Sequence, residues 1–333
     1  MTPAPVTHPP ILVAIDEGED RHVALEFAVA EAEATGRGIE VVHVVHPLTR
    51  TMRQRRPHPS EMDEPVAEHE EAEAFLASAT ALVRADHPDV TIHAEVREGL
   101  PLEAILAAAQ GVDRVFLQRR HLSALDNVLN GPVVAGVAAH APVPVVVVPE
   151  AFSGWDLPGR RRITVALKRH AHDGELLSEA FRTASRMQAG VRVLRVLEPH
   201  RVHGFMHGVG LRAGQHVDPV ATDGLGAATT AAAELRLLEE LSPWRARFPE
   251  VPTVGQVVVG RPVLALLEAT ADSDLLLISR PPSRLRANAL GTLSRALIRE
   301  AVCPVEVVPT RAHVPAHVRP HPHAGADSRG PIY

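Results

Sequence analysis

The chain is a duplication, and that constrains its fold more than any other feature. Ile11 to Asp16 (ILVAID) matches Ile163 to Lys168 (ITVALK), and Val41 to Pro47 (VVHVVHP) matches Val193 to Pro199 (VLRVLEP), both at an offset of 152 residues. Farther along, Gly131 matches Gly291, Pro144 matches Pro304 and Pro149 matches Pro309, all at an offset of 160. Long-range self-similarity of this kind means two copies of one domain. The offset grows by 160 − 152 = 8, which puts a net insertion in the second copy, expected in the Gly- and His-rich stretch after Pro199. Between the copies, FSGWDLPGRRR (Phe152 to Arg162) has the Gly, Pro and charge content of a linker. The expected layout is a disordered start over 1–10, a first domain over 11–150 and a linker over 151–161, then a second domain over 162–310 and a disordered His- and Pro-rich tail over 311–333. Each copy, at about 150 residues, is long enough to bury its own core.

Each copy alternates between two periods. ILVAI and VVHVV are short β-branched runs bounded by polar residues or Pro, which reads as buried parallel strands. From Asp20 to Thr35, Val23, Phe27, Ala30 and Ala34 share one helical face and Gly36 follows the end; Leu177, Ala180, Phe181, Ala184 and Met187 repeat the spacing before Gly190. A second helix is expected near 63–85 (227–246 in the second copy), a strand at 91–96 (256–259) and a third helix at 102–110 (263–271). Strands at 114–117 and 275–278 and final helices at 132–140 and 292–301 lead into the last strands at 145–148 and 305–308. Strands alternating with helices imply two tandem doubly wound α/β domains, each with a five-stranded parallel sheet.

Composition narrows the function classes. Aromatics make up only 3% of the chain, so the cores must be built from Ala, Val and Leu, and no aromatic platform for stacking an adenine is evident. A net charge of −6 argues against nucleic acid or an anionic membrane as partner. Cys303 is the single cysteine, which rules out an intrachain disulfide; its place before Pro304 and the last strand reads as structural. Apolar runs fall short of the roughly 20 residues that span a bilayer, and residues 1–10 lack the charged start and apolar stretch of a secretory signal. The expectation is a soluble cytoplasmic protein. No GxSxG elbow, HExxH helix or Walker A loop occurs, and the carboxylates fall mostly on amphipathic helices, so a non-enzyme is expected.

The most diagnostic stretches are ILVAIDEGEDRHVALEFAVAEA, REGLPLEAILAAA, GPVVAGVAAHAPVPVVVVP and GTLSRALIREAVCPVEVVP. In the last two, a Gly opens a helix, and an X-Ala-X-X-Pro entry into a valine-rich strand comes nine residues later. These segments resemble the universal stress protein family in tandem form, over nearly all of 11–149 and 162–309. The resemblance implies the adenine nucleotide alpha hydrolase-like fold and a stress-response role. Family members that bind ATP carry G-x2-G-x9-G-(S/T) after the fourth strand, where glycines let the backbone approach phosphates and helix N–H groups donate to them. By that resemblance the cofactor-site positions are Asp16, Val44, Gln118, Arg119, His121, Gly131, Gly291, Thr292 and Ser294.

Both copies depart from the signature. Counting back from Gly131, the two earlier glycine positions hold His121 and Gln118, and Pro132 replaces the hydroxyl residue. Pro132 has neither N–H nor hydroxyl to offer a phosphate. In the second copy Gly291-Thr292 survives, but the same count gives Pro281 and Ile278, the loop is one residue shorter, and Lys168 stands where the first copy has Asp16. Neither copy keeps a full ATP site, so no cofactor is expected, with ATP as the alternative. Arg119, Arg120 and His121, or Arg280, Arg284 and Arg286, could form an altered anion site or could be solvated loop residues.

The expected function is a non-catalytic stress-response or regulatory protein acting through unidentified protein partners or a small ligand. The alternatives are a nucleotide sensor reaching phosphates through Arg119, His121 and Gly291-Thr292, and a weak ATPase using Asp16 with a metal. His200, His203, His207 and His216 read as a mobile loop rather than a metal site, and Arg50, Arg53, Arg55 and Arg56 as a solvated one. The last strands, Val145 to Val148 and Val305 to Val308, are candidate exposed edges expected to pair antiparallel, making the chain a pseudo-dimer, with a further homodimer possible.

Overall fold

The computed structural model describes residues 8–17, 19, 21–45, 65–120, 130–153, 161–168, 173–198, 219–280 and 290–310. The first half runs β1 (Ile11–Ala14), α1 (Val23–Thr35), β2 (Ile39–Val45), α2 (Pro65–Asp86), β3 (Ile92–Glu98), α3 (Pro101–Ala108), β4 (Arg114–Arg119), α4 (Asn130–His140) and β5 (Val145–Pro149). The second half repeats it with β6 (Arg162–Ala166), α5 (Asp173–Met187), β7 (Gly190–Leu197), α6 (Pro219–Arg247) and β8 (Thr253–Val259), then α7 (Pro262–Thr270), β9 (Leu275–Arg280), α8 (Thr292–Glu300) and β10 (Val305–Pro309). The His-rich stretch, the arginine loop and the tail lie outside the described residues.

The ten strands form one sheet in the order β3-β2-β1-β4-β5-β10-β9-β6-β7-β8. Within each half all neighbours are parallel. The halves meet where β5 and β10 pair antiparallel, Val145 opposite Val307, Val146 opposite Glu306 and Val147 opposite Val305. Since 306 − 146 = 160, Glu306 lies opposite its own repeat counterpart, and a pseudo-two-fold axis passes between them. Two valine-rich edges that would each invite association cover one another.

The strand registers resolve the repeat arithmetic. Ile39 and Val191 correspond at 191 − 39 = 152, whereas their neighbours Ile92 and Thr253 correspond at 253 − 92 = 161. Nine residues therefore enter between β7 and β8, and the 160 offset of β5 and β10 shows that one is lost again before the final strand. Most of the nine are helical: α6 has 29 residues where α2 has 22, and it starts at Pro219, earlier than the periodicity suggested. Another difference is at α1, which begins at Val23 instead of Asp20 because Arg21 is held in a bend described below. Gly36 ends α1 at φ +65°, its N–H donating to the Ala32 carbonyl at 2.8 Å, a left-handed stop that glycine adopts without strain.

A core of Val, Leu, Ile and Ala runs through both halves, with β4, β5 and β10 buried along most of their length. Among the described residues, two aromatic groups pack under α1 and α5. Phe27 packs on Phe116 and Phe152 at ring separations of 5.5 and 6.2 Å, and Phe181 stacks on Trp244 at 5.7 Å. Cys303 is buried, and burial pushes its thiol up to about 12, which leaves it without thiolate character at neutral pH.

Candidate functional site

In an open α/β sheet, ligands bind outside the C-terminal ends of the strands where the strand order reverses. That point lies between β1 and β4 in the first half and between β6 and β9 in the second. Two residues past the ends of β1 and β6 there stand Asp16 and Lys168, and the residues closing β4 and β9 are Gln118-Arg119 and Ser279-Arg280. The register corrects one sequence count. Leu117 pairs with Val147 and Ile278 with Val307, its repeat counterpart, so Ser279, not Ile278, matches Gln118. The count failed because the shorter second loop was measured back from Gly291.

Gln118 is buried, and its amide is committed. The Nε2 donates to the Arg21 carbonyl at 2.7 Å and the Oε1 accepts from the Ala24 N–H at 3.3 Å. Ala24 lies in the first turn of α1, whose preceding residue His22 makes no side-chain cap. One of the helix-start donors is thus satisfied from β4. At the position where the ATP signature has its first glycine, a side chain joins β4 to the start of α1. Asp16 faces Arg120 across the same point, Oδ2 to Nη1 3.9 Å, with both groups partly in water, so the pair contributes little to stability.

Beside them is an aromatic group that the sequence reading did not anticipate. His43 on β2 is buried, with Nδ1 3.1 Å from the Ile15 carbonyl and Nε2 3.7 Å from Glu17. Phe75 of α2 meets the edges of His43 and His22 at 5.1 and 5.7 Å between centroids. His22 Nδ1 lies 3.0 Å from Glu19, whose carboxyl burial pushes above the ordinary carboxylate range against the opposing pull of His22. The signal was present as a histidine inside a buried valine run, but its partners sit on three other segments. Val44, next in β2, is half-buried against the core and pairs with Arg97 of β3.

Arg119 leaves this crevice altogether. Successive strand residues point to opposite faces, so while Gln118 meets α1, the Arg119 guanidinium crosses the seam and donates to the Ala301 carbonyl, the C-cap of α8, at 2.7 Å. Its counterpart Arg280 donates to the Ala138 and Ala141 carbonyls at the end of α4, at 2.8 and 2.6 Å. Ala141 and Ala301 are themselves repeat counterparts (301 − 141 = 160). Two arginines considered as anion ligands therefore form reciprocal caps between the halves, and burial lowers the pKa of both. His121, Pro281, Arg284 and Arg286 lie outside the described residues.

The remaining candidates divide between the halves. Gly131 is inside α4, one residue past its start. Gly291 is the N-cap of α8, with φ −67° and no side-chain cap; Thr292 is exposed in the first turn, and Ser294 is buried. Lys168 is exposed, and partial desolvation lowers its pKa. Among the described residues no three His, Cys, Asp or Glu side chains converge as a metal site, and no helix is long and apolar enough to cross a membrane.

The universal stress protein family matches residues 8–149 and again residues 159–309. The universal stress protein Rv2005c of Mycobacterium tuberculosis is 25% identical over 303 residues, covering 89% of this chain and 96% of the relative. Rv1996 of the same organism is 26% identical, covering 92% of this chain and 97% of the relative. Among solved structures, a universal stress protein from Archaeoglobus fulgidus superposes with a TM-score of 0.61 at 17% identity, covering 91% of this chain and 96% of that one. The functionally unknown protein PA1789 of Pseudomonas aeruginosa gives 0.56 at 13%, covering 91% and 93%. With a family domain matched over each half and the same tandem length in its relatives, the chain belongs to the universal stress protein family, in its two-domain form.

Proposed function

We propose that this protein is a non-catalytic, cytoplasmic stress-response or regulatory protein whose first-half nucleotide crevice is closed by its own side chains. It acts through protein contacts or through a small ligand other than ATP. The observation that carries this reading is Gln118: its buried amide bonds to Arg21 and Ala24 at the position where a phosphate loop needs an unobstructed glycine. Asp16 already has a cationic neighbour in Arg120, and Pro132 removes a donor from the start of α4.

Acid denaturation of the freshly purified full-length protein, followed by chromatography of the supernatant, should release no stoichiometric adenine nucleotide. One equivalent per chain would overturn the reading. Gln118→Gly should lower stability by about 1–3 kcal/mol, because it removes two buried hydrogen bonds that hold the start of α1. Urea unfolding checks this; a variant as stable as wild type would mean the amide does not close the crevice.

A second reading, a phosphate-responsive sensor, draws support from the second half alone. There α8 starts at Gly291 without a side-chain cap, and two residues past the end of β6 the exposed Lys168 stands instead of a carboxylate. It predicts saturable, salt-sensitive binding of inorganic phosphate that disappears in Lys168→Ala.

A further inference from the structure

The seam between the halves carries a buried cluster of charges that neither repeat copy holds by itself. Arg114 of β4 is 2% exposed and contacts Glu31 of α1 at 3.1 Å, Glu179 of α5 at 2.9 Å, Glu306 of β10 at 3.4 Å and the adjacent Asp113 at 3.2 Å. Arg186 of α5 lies 3.6 Å from Glu31 and 3.5 Å from Glu179. Arg182 reaches Glu179 at 2.6 Å but is 56% exposed, and the part-buried Arg37 pairs one-to-one with Asp113 at 3.2 Å, which leaves the balance unchanged. The inner set therefore has one more carboxylate than guanidinium. The repeat counterparts of Glu306 and Arg114 are Val146 and Leu275, so these charges break the symmetry of the duplication at its axis.

Glu306 is the group left short. It is fully buried, its Oε2 has no hydrogen-bond partner, and its strand neighbours Val146 and Leu277 carry no charge. Everything charged that faces it comes from α1, β4 and α5, that is, from both halves. A cavity of about 430 Å3 lined by Arg37, Asp113, Arg114, Glu179, Arg182 and Arg186 lies against the cluster and gives protons a route to it.

We propose that this cluster is a pH-sensitive latch: the halves dock tightly while Glu306 carries a proton, and its ionisation adds a surplus buried charge that loosens the seam. Burial, with Glu179 and Glu31 adding to it and Arg114 and Arg186 opposing, pushes the Glu306 carboxyl up to about 8. In an opened seam the group returns to the ordinary carboxylate range. The closed state therefore holds the extra proton, and its advantage is complete below that range. The opening equilibrium rises by up to tenfold per pH unit from about 5 to about 8, then levels off once both states are ionised. Only three residue pairs join β5 to β10, so a change of this size has a short strand contact to act on.

Amide exchange on the full-length protein tests the latch, read as protection factors of β5 and β10 relative to β2 and β7. The expected result is relative protection that falls from about pH 5 to about pH 8 and then flattens. Glu306→Gln, which keeps the shape without the titration, should give a flat profile. Glu179→Gln removes a repelling charge and should move the plateau to lower pH. A flat wild-type profile, a Glu306→Gln profile that still falls, or a plateau that Glu179→Gln leaves in place would each overturn the proposal. Should Glu306→Gln fail to fold, the wild-type profile and Glu179→Gln still decide it.

Discussion

Arg114→Leu should lower the stability of the protein by about 3–5 kcal/mol in urea unfolding at neutral pH. The guanidinium is buried, which by itself disfavours its charge, yet Glu31, Glu306, Glu179 and Asp113 surround it closely enough to raise its pKa overall. Without Arg114, carboxylates from α1, α5 and β10 remain in a region whose replacement for water is mostly Val and Leu. Removing one partner of a buried ion network leaves uncompensated charge, and that cost is larger than the net contribution of the pair when intact. The effect should be non-additive. In the double variant Arg114→Leu with Glu306→Leu, one surplus carboxylate leaves with the cation, so part of the loss should be recovered. A single-variant loss below about 1 kcal/mol, the size of an ordinary substitution, would contradict the view that this cluster is desolvated.

Val146→Asp should be at least as damaging. Val146 is 1% exposed and lies opposite Glu306 in the one pair of strands that is antiparallel among the described residues. A second carboxylate there would face the first across the pseudo-two-fold axis, beside a cluster whose carboxylates already outnumber the guanidinium groups buried with them, so its charge would be left uncompensated. Burying an unpaired charge is among the few mechanisms that take a point substitution past about 4 kcal/mol. The opposite change, Glu306→Val, restores the symmetric Val-Val contact expected of two identical copies. It leaves Arg114 with Glu31, Glu179 and Asp113, so it should be close to neutral at low pH and increasingly stabilising from about pH 5 to about pH 8, with the full gain above that. Melting temperatures at acidic and alkaline pH measure both variants. A folded, wild-type-like Val146→Asp protein would contradict the seam described above.

The parts of this molecule that were legible in the sequence are those whose cause is local. Short valine runs closed by Pro144, Pro149, Pro304 and Pro309, and helical faces ended by glycines such as Gly36, specify strands and helices through neighbouring residues alone. The antiparallel joining of β5 and β10 was legible for a related reason: an uncharged valine-rich edge must be covered. What the sequence hid depends on which face a residue meets. Gln118 and Arg119 are adjacent, and both looked like candidates for one loop. Strand alternation instead sends the first to α1 and the second across the seam to Ala301. The latch was invisible for a different reason, because its members at positions 31, 114, 179, 186 and 306 come from four separate elements. Its one local trace is a glutamate inside the run VEVVP, a charge with no reason to be in a buried strand unless something distant meets it.

The central claim is that duplication has preserved the fold while the first nucleotide crevice has been filled from within. Isothermal titration of the full-length protein with ATP and magnesium tests it most directly. The account predicts no saturable heat, corresponding to a Kd weaker than about 1 mM. Stoichiometric binding at submillimolar Kd, lost on Asp16→Ala, would contradict it.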